Sequence, residues 1–305
     1  SDVCSSDLVC RATVIIATHN PSAQVPELRR NLTSQGYRQV LTFLDVHERW
    51  AGDFGDRFWL TRRNLYLENR NACLATEAIW TDDSSRDLFR SILRFRTEKA
   101  YEALPAPSGE VQYFDRTVPS PGGPLRFIDC GAYDGDTLAQ LIQMGLHAEA
   151  ILAFEPEPKN FDKLAQFVHG HRGSLPSQTF LYPCGVAASN AQVRLSGTGT
   201  SAHLSQSGDT VIQCVCIDDA APSFAPTYLK MDIEGAELEA LHGARRTIEG
   251  HRPSLAICLY HRPEHLWQIP LLVHGWYGDR ARYYLRLYAH NGFELVFYAI
   301  ASESP

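Results

Sequence analysis

The chain has 305 residues, 44% of them hydrophobic, and a formal net charge of −7. That length and apolar content suit one large or two modest domains with a sizeable core. The acidic balance, with no basic stripe against it, argues against an electrostatic grip on nucleic acid or an anionic membrane.

No apolar run approaches the roughly 20 residues of a membrane span, and no signal-peptide series is present. Eight cysteines occur without a C-x-x-C pair. That spacing is poor for zinc and points to reduced, buried thiols in a cytoplasmic setting.

Residues 1–8 have no hydrophobic period and resemble a translated adapter scar, so they are set aside from fold reasoning. Residues 12–18 read as a short buried strand, 26–35 as a helix stopped by Gly36, and 39–44 as a second strand followed by Asp45 and His47. One β-α-β unit cannot bury both faces of a sheet, so this stretch joins a larger sheet or has lost its front. From 59 to 95, Leu65, Leu67, Cys73, Leu74, Ile79, Leu88, Ile92, Leu93 and Phe95 recur at helical spacing, with a stop and N-cap at 81–84. Arg62, Arg63, Arg86, Arg90, Arg94 and Arg96 on these helices read as a solvated face rather than a phosphate or sugar-nucleotide site. The Pro/Gly run at 119–124 marks the sharpest break in the chain. The expected division is a truncated accessory region with a helical segment over 9–110, and a main domain over 111–305.

The main domain is organised around residues 127–137, Phe-Ile-Asp-Cys-Gly-Ala-Tyr-Asp-Gly-Asp-Thr, an apolar strand running into a glycine-punctuated turn and a helix. Open α/β sheets bind ligands at such strand-to-helix turns. A dinucleotide site would use G-x-G-x-x-G with the helix amino end facing a pyrophosphate. Here the turn instead carries Asp129, Asp134 and Asp136, which would repel a pyrophosphate but suit a cationic, hydroxyl-bearing ligand. S-adenosylmethionine, with a sulfonium, an ammonium and a ribose diol, matches that description.

The next strand, 150–154, ends at Glu155-Pro156, where an acidic residue can accept from both ribose hydroxyls. A third strand, 179–183, leads into Gly185 and Val186, expected under the adenine. Two alternating stretches, 192–195 and 210–216, flank a Gly/Ser/Thr-rich loop at 196–208 and read as an inserted hairpin; His203 in that loop is expected to face solvent. The fourth strand, 228–232, carries Lys230 and Asp232, with Glu234 two residues further along the same side. Asp232 either serves the site, pairs with Lys230, or caps the helix after Ala236. The fifth strand, 253–260, ends at His261; a short helix at 266–273 follows. A closing hairpin around Asn291-Gly292 then requires one antiparallel terminal strand.

Taken together, 127–137, Phe-Glu-Pro at 154–156 and Leu-Lys-Met-Asp-Ile-Glu-Gly-Ala-Glu at 229–237 resemble the FkbM-type S-adenosylmethionine-dependent methyltransferases, over about residues 113–300. The resemblance implies an α/β fold with a seven-stranded Rossmann-like sheet whose last strand is antiparallel, and O-methylation of a sugar or other small-molecule or glycan hydroxyl. The cofactor is then expected against Asp129, Gly131, Ala132, Tyr133, Gly135, Asp136 and Thr137, with Glu155 and Pro156 at the ribose, Gly185 and Val186 at the adenine, and Asp232 nearby. Catalytic candidates are His261 as base, because its ordinary pKa is about 6.5, with Asp232 and Glu234. Asp232 and Glu234 suit magnesium by chemistry, but two ligands are a thin set and no metal is expected. The competing readings are a nicotinamide-dependent oxidoreductase, which lacks its G-x-G-x-x-G turn here, and a non-catalytic nucleotide-binding module.

Overall fold

The computed structural model describes residues 11–120, 124–196, 203–205 and 210–302. Residues 1–8, part of the Pro/Gly run, most of the 196–208 loop and the His203 side chain lie outside the described residues. The chain divides into two compact units. One takes in the residues up to Gly109 together with Leu259–Trp267 and Leu285–Leu295; the other holds Glu110–Cys258, Gln268–Tyr284 and the residues from Val296 onward.

In the first unit, β1 (Thr13–Ile16), α1 (Val25–Ser34) and β2 (Gln39–Thr42) form a parallel β-α-β unit, with Thr13 opposite Gln39 and Ile16 opposite Thr42. The second strand does not reach residue 44. Asp45 accepts from both the N–H and the hydroxyl of Thr42 at 2.8 Å, a capping box that starts α2 (Phe43–Phe54). Three helices follow, α3 (Asn64–Glu68), α4 (Arg70–Ile79) and α5 (Asp83–Glu98). Asp82 caps α5 by accepting from Ser85 N at 2.8 Å.

Arg86, Arg90 and Arg94 form ion pairs with Asp83, Glu77 and Glu98 on the solvated side of these helices. Arg96 departs from the expectation of a solvated row. It shares a helix face with Phe89 and Ile92, so it is buried, with its guanidinium 5.2 Å from the Trp59 ring and 5.8 Å from that of Tyr66. His19 is enclosed by Phe43, Trp59 and Phe293, with ring centroids 5.2–5.3 Å away. Burial, with His47 adding to it, lowers its imidazole pKa to about 4.

The second unit begins with β3 (Leu125–Cys130), α6 (Asp136–Gln143), β4 (Ala148–Phe154), α7 (Pro158–Gly170) and β5 (Gln178–Tyr182). Next, β6 (Gly185–Val186), β7 (Ala191–Ser196), β8 (His203–Ser205) and β9 (Thr210–Val215) make a separate four-stranded sheet in the order β6-β9-β7-β8, which contains the expected hairpin. The chain continues through α8 (Ile217–Ala220), β10 (Tyr228–Met231), α9 (Glu237–Gly243), α10 (Arg245–His251), β11 (Ser254–Cys258), α11 (His265–Tyr277), β12 (Ala281–Leu287) and β13 (Leu295–Ala301).

The main sheet has seven strands in the order β12-β13-β11-β10-β3-β4-β5. The strands from β11 to β5 pair in parallel, and β13 runs antiparallel to β11, as the sequence requires. Asn291 and Gly292 both have positive φ but do not make a two-residue hairpin; Asn291 Nδ2 donates instead to the carbonyls of Asn20 and Ala23. Among the described residues, no helix is long and apolar enough to cross a membrane, and six cysteines are buried free thiols.

Candidate active site at the carboxyl edge of the sheet

The order β10-β3-β4-β5 places β3 where the winding of the sheet reverses. The carboxyl ends of β3 and β10 therefore flank the switch point at which such sheets bind ligands. The turn after β3 is made of left-handed residues, Gly131 (φ 83°), Tyr133 (φ 48°) and Gly135 (φ 96°). Glycine is required at Gly131 for a reason internal to the protein: a Cβ there would lie 1.9 Å from the Asp232 carbonyl oxygen, so only glycine lets the two strand ends approach. At Gly135 a Cβ would meet the Phe167 ring at 2.8 Å. The turn is tied to β4 by the N–H groups of Gly131 and Ala132, which both donate to Phe154 O at 3.0 Å.

Glu155 completes that tie. It is 6% exposed, and its carboxylate accepts from Tyr133 N at 2.9 Å and Glu157 N at 2.8 Å. Burial pushes its pKa up to about 7, against the pull of those two N–H groups and of Lys230. Pro156 follows, and a Cβ on Gly185 would lie 3.8 Å from the Pro156 Cβ, which brings β6 to the same corner. Asp136 and Thr137 open α6, where Asp136 Oδ1 accepts from Thr137 N at 2.7 Å.

Asp129 and Lys230 are cross-strand partners on β3 and β10, both essentially inaccessible, with Nζ 3.0 Å from Oδ1. Lys230 also donates to Gly131 O at 2.6 Å. Burial opposes its charge, but Asp129, Asp232 and Asp136 outweigh that and raise its pKa. Burial raises the Asp129 carboxyl, with Lys230 opposing. Asp129 thus acts inside the protein: it neutralises the lysine that fixes the turn. The ion pair of Lys230 at 3.0 Å is with Asp129, and Asp232 acts on the same ammonium through its charge.

Asp232 lies one residue beyond β10, and its N–H donates to Cys130 O at 3.1 Å. Its carboxylate accepts at Oδ2 from the Tyr113 hydroxyl at 2.7 Å. Glu234 (φ 56°) and Gly235 (φ 98°) form a left-handed turn. Glu237, fully buried in the first turn of α9, organises it, accepting from Ile233 N at 2.9 Å and Gly235 N at 3.4 Å. Neither Tyr113 nor Glu237 is among the residues that the sequence marks for the site. A carboxylate at the start of α9 was the available signal for Glu237; Tyr113 arrives from 119 positions away and left none. His261 belongs to the first unit, buried beside Tyr260 and Phe58 with ring centroids 4.1 Å and 6.3 Å away.

With Lys230 paired to Asp129, the acceptors on these strand ends and in the turn are carboxylates: Glu155, Asp134, Asp136 and Asp232. That set fits a cationic ligand bearing a diol, as S-adenosylmethionine is. A separate cavity of about 540 Å³ lies at the opposite edge, lined by Leu125, Tyr228, Ile300, Met144 and His147 with part of 113–120, and does not include the turn residues.

A family model described as "Methyltransferase FkbM domain" matches residues 129–295. A crystal structure of methyltransferase FkbM from Methylobacillus flagellatus KT aligns with a TM-score of 0.81 at 22% identity, covering 96% of this chain and 76% of that one, a likeness of fold. Fibrillarin from Aeropyrum pernix, solved with natively bound S-adenosyl-L-methionine, aligns at 12% identity and a TM-score of 0.37, covering 60% of this chain and 70% of that one. No curated protein matches the chain.

Proposed function

Because the chain belongs to the FkbM methyltransferase family, we propose that it is an S-adenosylmethionine-dependent O-methyltransferase acting on a hydroxyl of a sugar, glycan or other small secondary metabolite. The observation that carries this reading is the carboxylate-rich switch point, with buried Glu155 braced against the turn after β3 and the buried Lys230 already neutralised by Asp129.

In this reading residues Gly131 to Thr137 enclose the methionine end, Glu155 and Pro156 hold the ribose, Gly185 and Val186 support the adenine, and Asp232 faces the cationic end. When bound, the cofactor supplies a methyl group on a positively charged sulfur. Everything else falls to the protein. An alcohol is a weak nucleophile at neutral pH, so the acceptor oxygen must be held in line and lose its proton during attack. His261, three residues past β11, is assigned that proton, and Glu234 lies in the turn beside Asp232.

Isothermal calorimetry with S-adenosylmethionine and with NAD tests the cofactor, and a screen of hydroxylated sugars monitored by S-adenosylhomocysteine release tests the reaction. Binding of the first ligand alone, with product release on a hydroxylated acceptor, is expected. NAD binding in its place would sink the reading. His261→Ala should lower turnover by about 100-fold or more with cofactor affinity kept, as removal of a general base does. Near wild-type turnover in that variant would remove His261 from the chemistry.

A further inference from the structure

Tyr113 lies in the stretch that enters the second unit, outside any helix or strand. Its backbone is left-handed, with φ 70°, a conformation that a bulky aromatic residue adopts only when its surroundings impose it. Here the surroundings are specific. Tyr113 N donates to the Tyr298 hydroxyl at 3.1 Å, and the Tyr228 hydroxyl donates to Tyr113 O. Phe114, the next residue, packs against Phe127 and Tyr228, with ring centroids 6.0 Å away in each case. Two strands of the main sheet thus grip the backbone of one residue by their tyrosine hydroxyls.

That grip directs the Tyr113 phenol along the sheet toward its carboxyl edge. The ring passes 5.1 Å from Lys230 Nζ, and the hydroxyl reaches Asp232 Oδ2 at 2.7 Å. Gln112 Nε2 donates to the same hydroxyl at 2.9 Å, so the phenol accepts from Gln112 and gives its own proton to the carboxylate. A chain of donors running in one direction strengthens each member and fixes the orientation of the acceptor at its end. Packing alone would need only the ring; the strained backbone and the Gln112 contact both serve the hydroxyl.

We propose that Tyr113 is a positioning residue, whose hydroxyl holds the Asp232 carboxylate in the orientation that receives the cationic end of the cofactor. This rests on the cofactor reading given above and adds to it the residue through which Asp232 is aimed. The stretch from 110 onward belongs to the second unit although it precedes the first strand of that unit, because Tyr113 and Phe114 bond to and pack on residues of that unit's sheet.

The test is a double-mutant cycle in the full chain, with Tyr113→Phe, Asp232→Asn and the double variant, reading S-adenosylmethionine affinity by calorimetry and folding by thermal melting. Tyr113→Phe keeps the ring and both backbone anchors, so cooperative melting is retained. The expected result is a loss of affinity of about tenfold for Tyr113→Phe in the wild-type background, the worth of a hydrogen bond to a charged group, and less than about twofold in the Asp232→Asn background. Wild-type affinity in Tyr113→Phe overturns the proposal. So does an equal loss in both backgrounds, which is what a purely structural role would give. A folded wild-type chain that does not bind S-adenosylmethionine overturns the cofactor reading itself, and is distinguished because no variant is needed to see it.

Discussion

Glu155 has two tasks that pull against one another. It braces the turn through two backbone N–H groups, and in the proposed function it also accepts from a ribose diol, which it does best when ionised. Burial raises its pKa to about 7, so near neutral pH a large fraction carries a proton. Affinity for S-adenosylmethionine should therefore rise between pH 6 and 8 in the wild type and stay flat over that range in Glu155→Gln, as calorimetry at several pH values would show. Stability should move the other way. The folded state binds this proton more tightly than the unfolded chain, so Glu155 contributes stability that is present below about pH 4.5 and lost as pH rises through 7, about 3 kcal/mol in all. The difference in melting temperature between wild type and Glu155→Gln should follow that window, and a constant difference from pH 4 to 8 would contradict it. At this scale the site was partly legible. The glycines at 131 and 135 and the carboxylate at 155 announce themselves by position on strand ends, although what excludes a Cβ at the two glycines is distant in sequence, the Asp232 carbonyl and the Phe167 ring. Tyr113 does not, since it acts on a partner 119 positions away whose proximity only the folded sheet creates, whereas Glu237 acts on the N–H groups of its own turn and was open to a local reading.

Elements were readable where their ends carry local chemistry. The stop at residues 81–84 places an N-cap that the structure finds at Asp82, and the Asp82 side chain does more than cap: its Oδ2 pairs with Arg286 Nη2 at 2.8 Å, while Ser85 Oγ accepts from Arg286 Nη1 at 3.0 Å and from Leu285 N at 2.9 Å. Burial works against the Asp82 charge, but hydrogen bonds from Arg286 and Ser85 hold its pKa below the usual range. Asp82→Ala should cost about 2–3 kcal/mol, one part for the cap and the rest for the ion pair left half-buried. Asp82→Asn, which caps as well but carries no charge, should recover about 1 kcal/mol of that. Chemical denaturation of the two variants measures the split, and equal losses would mean that the cap contributes nothing. The apolar run through Leu44 hides α2, because five apolar or β-branched residues in a row, Val40 to Leu44, read as strand. The Thr42-x-x-Asp45 capping box was the countersign, and it outweighs the run because it satisfies the donors that begin a helix.

For the whole molecule, the sequence suggests a chain that divides once, near residue 110, so that a protein begun at Val111 would stand alone. The structure divides the chain differently, because the first unit is discontinuous. It includes Leu259–Trp267 and Leu285–Leu295, stretches that no local pattern links to residues 11–109. Those stretches supply Tyr260, Trp267 and Phe293, each at most 6% exposed, and their partners include Phe58, Tyr66 and Trp59. Removing everything before Val111 uncovers all three rings. At roughly 150–250 Å² per aromatic side chain and about 25 cal/mol per Å², the loss is on the order of 10 kcal/mol, comparable with the whole stability of an ordinary domain. A chain beginning at Val111 is therefore expected to aggregate, or to bind a hydrophobic dye such as ANS and lose its cooperative melting transition. Replacing Tyr260, Trp267 and Phe293 with polar residues in that shortened chain should restore solubility, since the defect is uncovered apolar surface rather than a broken sheet. If the unmodified shortened chain is instead a soluble monomer that melts cooperatively and binds S-adenosylmethionine as the full chain does, the first unit is dispensable and its discontinuous aromatic core carries no stability that the second unit needs.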